Sequence, residues 1–147
     1  MLFAAPCAAE GLTVETAEGE TVPLSALTAD APSVLHFWAT WCAPCIVELP
    51  ELAAFMAQHP DLAAGIVPVS IDRSGMARIE GFLENLGVTL RSVRLAEGNA
   101  GAAYGLNAYP STVFLSADGT AERVVTGPLD WTAPETAATV RVHLAGR

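Results

Sequence analysis

An apolar run, Ser33 to Trp38, leads directly into Trp41-Cys42-Ala43-Pro44-Cys45 and then into an amphipathic stretch. This junction constrains the fold more than any other part of the chain. A nearly continuous apolar segment reads as a central strand covered on both faces, with His36 as its polar exception. From Ala43 to about Gln58, the residues Ile46, Leu49, Leu52, Ala53 and Met56 recur at helical spacing, and Pro44 suits a first helical turn. Pro50 is expected to kink that helix, because it removes a backbone donor and crowds the preceding turn. A strand feeding a helix in this way puts Cys42 and Cys45 at the helix start. Two thiols there can close and open a small disulfide, and metal binding is the competing reading.

The other segments fit around this unit. Leu12 to Thr16 and Thr21 to Leu24 alternate apolar and polar residues about the turn-forming Ala17-Glu18-Gly19-Glu20, which predicts an N-terminal hairpin. Thr28 to Pro32 reads as a loop. Gly65 to Ile71 is a second buried-type strand, and Met76 to Leu86 is a helix stopped by Gly87. A strand over about Leu90 to Leu95 and a short helix around Gly98 to Tyr104 lead to Tyr109-Pro110. Ser111 to Leu115 and Ala121 to Val125 flank Ala117-Asp118-Gly119-Thr120, a hairpin signal, and Pro134 to Leu144 is the last helix. The order βαβαβαββα after the opening hairpin predicts an α/β fold, a mixed sheet with helices on both faces.

A length of 147 residues suits one domain, read here as residues 10–147. Residues 1–9, small and apolar and ending Cys7-Ala8-Ala9, read as the tail of a secretory signal, with Cys7 incidental and a lipidated Cys7 the weaker alternative. No run is long enough to span a bilayer, so the reading places no membrane anchor in this chain. The net charge is −9, and the seven basic residues are all arginine, so the basic stripe that a nucleic acid requires is missing.

Phe37-Trp38-Ala39-Thr40-Trp41-Cys42-Ala43-Pro44-Cys45, Glu48-Leu49-Pro50, Tyr104-Gly105-Leu106 leading to Pro110, Asp118-Gly119 and Thr126-Gly127 together resemble the thioredoxin superfamily. More narrowly, they are similar to its extracytoplasmic TlpA/ResA/CcmG branch, over roughly Leu12 to Leu144. The resemblance implies a thioredoxin-like fold with an N-terminal hairpin addition and a protein thiol:disulfide oxidoreductase exported to the periplasm. Its redox group would be a Cys42–Cys45 disulfide, with no other cofactor and no metal. Implied partners are a client protein carrying disulfides or thiols, as in cytochrome c maturation or copper-centre assembly, and a membrane electron donor of the thiol-reductase type. The chain is expected to act as a monomer. A disulfide-introducing oxidant and a copper-binding chaperone using the same two cysteines are the alternatives.

Roles follow from position and from the resemblance. Cys42, at the helix N-terminus, is the expected nucleophile, because free backbone N–H groups and the helix dipole favour a thiolate; Cys45, further in, resolves the mixed disulfide. Ala43 and Pro44 are expected to tune the potential. The resemblance implies a cis peptide at Pro110 opposite the sulfurs, with Tyr109 offering backbone groups to an extended substrate and Trp41 forming part of the docking face. Gly127 is expected to let its loop approach the cysteines closely. Helical spacing turns Glu48 towards the buried side near the sulfurs, where its pKa would be raised and it would exchange protons with the dithiol; a solvent-facing glutamate is the alternative. His36 stands where thioredoxins proper have an aspartate relay and is read by default as a satisfied core histidine. His59 and His143 are read as surface residues.

Overall fold

In the computed structural model, residues 11–146 are described. The expected signal remnant at residues 1–9, with Cys7, lies outside them.

The segments rich in β-branched and aromatic residues form one seven-stranded sheet. Its strands are β1 (Thr13–Glu15), β2 (Thr21–Pro23), β3 (Ser33–Trp38), β4 (Ile66–Ser70), β5 (Val93–Glu97), β6 (Ser111–Leu115) and β7 (Ala121–Thr126), in the spatial order β2-β1-β5-β4-β3-β6-β7. β3 runs parallel to β4, and β4 parallel to β5, whereas β6 and β7 add on antiparallel beyond β3. The expected N-terminal hairpin forms and extends the opposite edge, with β1 antiparallel to β5. This is a mixed-sheet thioredoxin-like fold with a hairpin addition.

Among the described residues, six helices cover the sheet: α1 (Leu24–Thr28), α2 (Ala43–Gln58), α3 (Pro60–Ala63), α4 (Met76–Leu86), α5 (Ala100–Tyr104) and α6 (Pro134–Leu144). Two differ from expectation. Leu24, expected to end a strand, instead starts α1 and is fully buried, and α3 forms where no element was expected, begun by Pro60 in its first turn. Both are too short to carry a readable period. Pro50 lies inside α2, which remains one helix from Ala43 to Gln58. Gly87 ends α4 in the left-handed conformation, where a residue without Cβ incurs no steric penalty.

β3 is buried along its whole length, and its period of two divides the core. Leu35 and Phe37 pack with Leu24, Ala100 and Tyr104 on the face covered by α1 and α5. Val34 and Trp38 point the other way: Val34 joins Leu52 and Phe55, and Trp38 joins Cys45 and Leu49, all from α2. His36 shares their parity, which aims its ring at α2 rather than at α1.

Candidate active site

The N-terminus of α2 is held in place before any chemistry is considered. Asp72, buried just beyond β4, accepts hydrogen bonds from the Thr40 backbone N–H (2.9 Å), the Thr40 hydroxyl (2.5 Å) and the Ser70 hydroxyl (2.6 Å). This carboxylate ties the loop before the cysteines to the end of the neighbouring strand. Trp38 donates its indole N–H to Ser92 Oγ at 3.0 Å, fixing the same loop from beneath. Sequence reasoning missed Asp72, whose only visible signal was a lone acid closing an apolar strand.

Cys42 is the N-cap of α2 and is joined to Cys45 by a disulfide. Its Sγ accepts the Cys45 backbone N–H at 3.3 Å, so a helix-end donor already points at the sulfur that would carry charge after reduction. Exposure is unequal: Cys42 keeps 6% of its surface, and Cys45 none. Ala43 and Pro44 are exposed in the first turn between them. Trp41 is 68% exposed and meets Tyr109 edge-on, with ring centroids 6.4 Å apart.

The Tyr109–Pro110 peptide is cis, and the Tyr109 carbonyl oxygen lies 3.4 Å from Cys42 Sγ. The chain before β6 thereby borders the disulfide. Gly127 N–H donates to the Pro110 carbonyl at 2.8 Å, which holds that segment from behind. The expected reason for a glycine at 127 is corrected here. A Cβ at this position would meet nothing within 4 Å, so close approach does not require glycine; a φ of +89° does.

One turn further along α2 from Cys45 lies a buried polar cluster. Glu48, 2% exposed, points inward from α2, which sets aside the solvent-facing alternative. Its Oε1 accepts the Trp131 indole N–H at 2.6 Å and the Leu129 backbone N–H at 3.2 Å. Burial outweighs these two donors and pushes the carboxyl up to about 7, with the nearby Glu51 charge adding a little in the same direction. His36 Nε2 stands 3.7 Å from Glu48 Oε1, and its Nδ1 is 3.0 Å from Thr112 Oγ1. Full burial lowers the His36 pKa to about 4. Its expected reading is corrected: the ring is satisfied on one side only, since Nε2, like Glu48 Oε2, is buried without a hydrogen-bond partner. Trp131, which sequence reasoning missed, packs edge-on against His36 with centroids 5.8 Å apart and also against Phe55 at 5.1 Å.

The other two histidines lie apart from this cluster. His143 is half-buried rather than a surface residue, its Nε2 lying 2.8 Å from the Leu115 carbonyl and 3.1 Å from that of Ser33. His59 is half-buried against the Phe55 ring. Among the described residues, no group of three or more His, Cys, Asp or Glu side chains could hold a metal ion, and no helix is long and apolar enough to cross a membrane.

A Trp131→Phe substitution keeps most of the packing and removes one donor from a buried carboxyl. We expect Glu48 to titrate still higher and the fold to lose about 1–3 kcal/mol. Carboxyl ¹³C chemical shifts followed against pH, with denaturant melts, check both.

A disulfide capping a helix, bordered by a cis-proline segment and followed on that helix by a buried carboxyl, defines a thioredoxin-like dithiol–disulfide site. Residues 6–124 match the AhpC/TSA family, and the chain belongs to it. Within that family, the chain is similar to thiol-disulfide oxidoreductases of the ResA and DsbE kind. The chain is 30% identical over 115 residues to the thiol-disulfide oxidoreductase ResA of Oceanobacillus iheyensis, a match covering 78% of this chain and 59% of that protein. It is 28% identical over 118 residues to the sporulation thiol-disulfide oxidoreductase A of Bacillus subtilis, covering 79% and 70%. Among solved structures, a secreted Mycobacterium tuberculosis disulfide oxidoreductase homologous to E. coli DsbE superposes with a TM-score of 0.64 at 27% identity, covering 90% of this chain and 96% of that one.

Proposed function

We propose that the protein is an exported thiol–disulfide oxidoreductase working as a reductant, which passes two electrons from the Cys42–Cys45 dithiol to a disulfide in a client protein. The observation that carries this is the unequal pair of sulfurs. A more accessible Cys42 receives a helix-end N–H, and a fully buried Cys45 stands one turn behind it.

In the reduced protein, the Cys42 thiolate attacks one client sulfur. The client S–S bond breaks, a Cys42–client mixed disulfide forms, and the second client sulfur leaves as thiolate and takes a proton. Cys45, deprotonated, then attacks Cys42 Sγ, which restores the Cys42–Cys45 disulfide and releases the first client sulfur. Two electrons have moved from protein to client. The proton lost by Cys45 needs a nearby acceptor. Glu48, three residues along the same helix and raised to about 7, is close to half ionised at neutral pH and suits that task. Trp131 and Leu129 both donate to Oε1, so the carboxyl proton resides on Oε2. Trp41 and Tyr109 form the rim that the client meets, and the Tyr109 backbone supports an extended client strand.

Export to the periplasm agrees with the secreted mycobacterial relative. Clients of the cytochrome c maturation or copper-centre assembly kind, and a membrane thiol reductase as electron donor, follow from the resemblance to the TlpA/ResA/CcmG branch. A monomer suits a site built entirely within one chain.

Direction is tested by potential. Equilibrating the protein with dithiothreitol and glutathione couples, and reading the thiol state by alkylation, should give a value towards the thioredoxin end, about −270 mV. A value near about −120 mV would make the protein an oxidant.

A further inference from the structure

The carboxyl ends of the parallel strands β3, β4 and β5 open into one groove of about 960 Å³ beside the disulfide. Crevices at this end of parallel strands are where α/β sheets bind ligands. Trp41 and Tyr109 close the groove on the cysteine side, and Gly98 and Asn99 close it on the far side. Ile71, Phe82 and Leu95 contribute apolar wall. Spanning three strands at about 4.8 Å each requires roughly 10 Å, the length of about three extended residues.

Its charge is unlike that of the rest of the molecule. The chain has a net charge of −9 with only seven basic residues, yet Arg73, Arg78 and Arg94 all line this groove. Arg94 is committed to Glu15 at 2.5 Å. Elsewhere, Arg91 pairs with Glu18, Arg141 with Asp61, and Arg123 lies over the Phe114 ring. Among the described residues, Arg73 and Arg78 are the two arginines without an ion pair or a ring contact, and both are exposed. Of the two acids lining the groove, Asp72 is buried and occupied by Thr40 and Ser70, and Glu97 lies at the far strand end. Among the described residues, the two guanidinium groups without an ion pair or ring contact both line the groove that Trp41 and Tyr109 close on the cysteine side, and they present a local positive field there, which steers anionic groups to that place.

We propose that this groove docks an acidic, extended segment of the client polypeptide next to its reacting cysteine, with Arg73 and Arg78 pairing to its carboxylates. The proposal rests on the reading of Cys42–Cys45 as a thiol–disulfide exchange site and names the substrate class for it. Guanidinium pairs with carboxylate bidentately, so the contact selects orientation as well as charge.

The test uses the reduced full-length protein and three synthetic peptides, each with one disulfide flanked by aspartates, serines or lysines. At low salt, the rate constant for the aspartate peptide should exceed that for the serine peptide about tenfold, and the lysine peptide should be slowest. In the Arg73→Gln/Arg78→Gln double variant, the aspartate-to-serine ratio should fall to about two or less, and 0.5 M salt should shrink it in the wild type. An Arg141→Gln variant, remote from the groove, should keep the full ratio. A wild-type ratio near one, or a ratio that survives the double substitution, overturns the proposal. So does oxidised glutathione showing as large a loss in the double variant, which would make the groove a small-anion site. If none of the peptides is reduced, the exchange reading itself fails. The groove is then judged by binding of the aspartate peptide with serine in place of its cysteines, read from tryptophan emission, where weaker binding by the double variant supports it and equal binding overturns it.

Discussion

A Cys45→Ser variant will hold clients as stable mixed disulfides, whereas Cys42→Ser will hold none, and both will lose steady-state exchange by at least about a thousandfold. The asymmetry comes from geometry. Cys42 has the exposed edge and the helix-end donor, so it is the sulfur a client disulfide can reach; Cys45 is fully buried and can reach only Cys42. Removing Cys45 therefore leaves the first step intact and deletes the second. Thiol-alkylation gels run without reductant, with the captured client identified by mass spectrometry, check the result. Capture by Cys42→Ser at the level of Cys45→Ser would reverse the assigned roles. The disulfide spans only three positions, so chain-entropy closure of so short a loop contributes only about 2 kcal/mol, and both variants should remain folded.

The second large effect concerns stability against pH, where His36 and Glu48 act in opposite senses. Glu48 titrates at about 7 in the folded protein, against an ordinary value of 4.5. Between those values the folded state holds the extra proton, so stability from this group is fully present below pH 4.5 and is lost as pH rises through 7. His36 titrates at about 4 when folded, against 6.5. Between those values the unfolded state holds the extra proton, so stability rises with pH across that window. Each displacement corresponds to about 3 kcal/mol, and the two nearly cancel between about pH 4.5 and 6.5.

Substitution exposes the hidden slopes. Relative to wild type, Glu48→Gln should gain about 3 kcal/mol as pH rises from 4.5 to 7, because the His36 contribution is no longer opposed. His36→Leu should lose a similar amount relative to wild type as pH rises from 4 to 6.5. Urea melts at half-unit pH intervals measure both differences. Profiles parallel to wild type in both variants would show that neither group is held away from its ordinary titration.

Cancellation of this kind bears on mechanism. A single buried carboxylate on the CxxC helix makes a fold pH-sensitive where it must work. Placing a buried imidazole 3.7 Å away offsets that cost while leaving the carboxyl poised near 7.

Much of the framework was readable from local pattern. The boundaries of β3, α2, α4, β6 and α6 coincide with the periodic runs that announced them. Those runs are long, and each changes period sharply at a Gly, a Pro or the CxxC. The errors fall where pattern is short or position is non-local. α1 and α3, of five and four residues, are below the length at which a helical period can be counted. Glycine at 127 was foreseen to matter, but the reason, a left-handed backbone, belongs to a turn whose shape is set by Pro110 across the chain.

Residues 33–58 alone determine that two thiols sit where a buried strand becomes a helix, and they turn Glu48 towards the inner side of that helix while leaving a solvent-facing glutamate open. Those are consequences of periods of two and 3.6, which any contiguous stretch displays. Tertiary structure alone decided what Glu48 meets. Trp131 is 83 positions away, and Thr112, which holds His36, is 76 positions from it. The same holds for the groove, whose three arginines come from the loop after β4, from α4 and from β5, and were three of seven scattered charges in the sequence. Burial, hydrogen bonding and electrostatic fields depend on distance in space, and the chain reports only distance along itself.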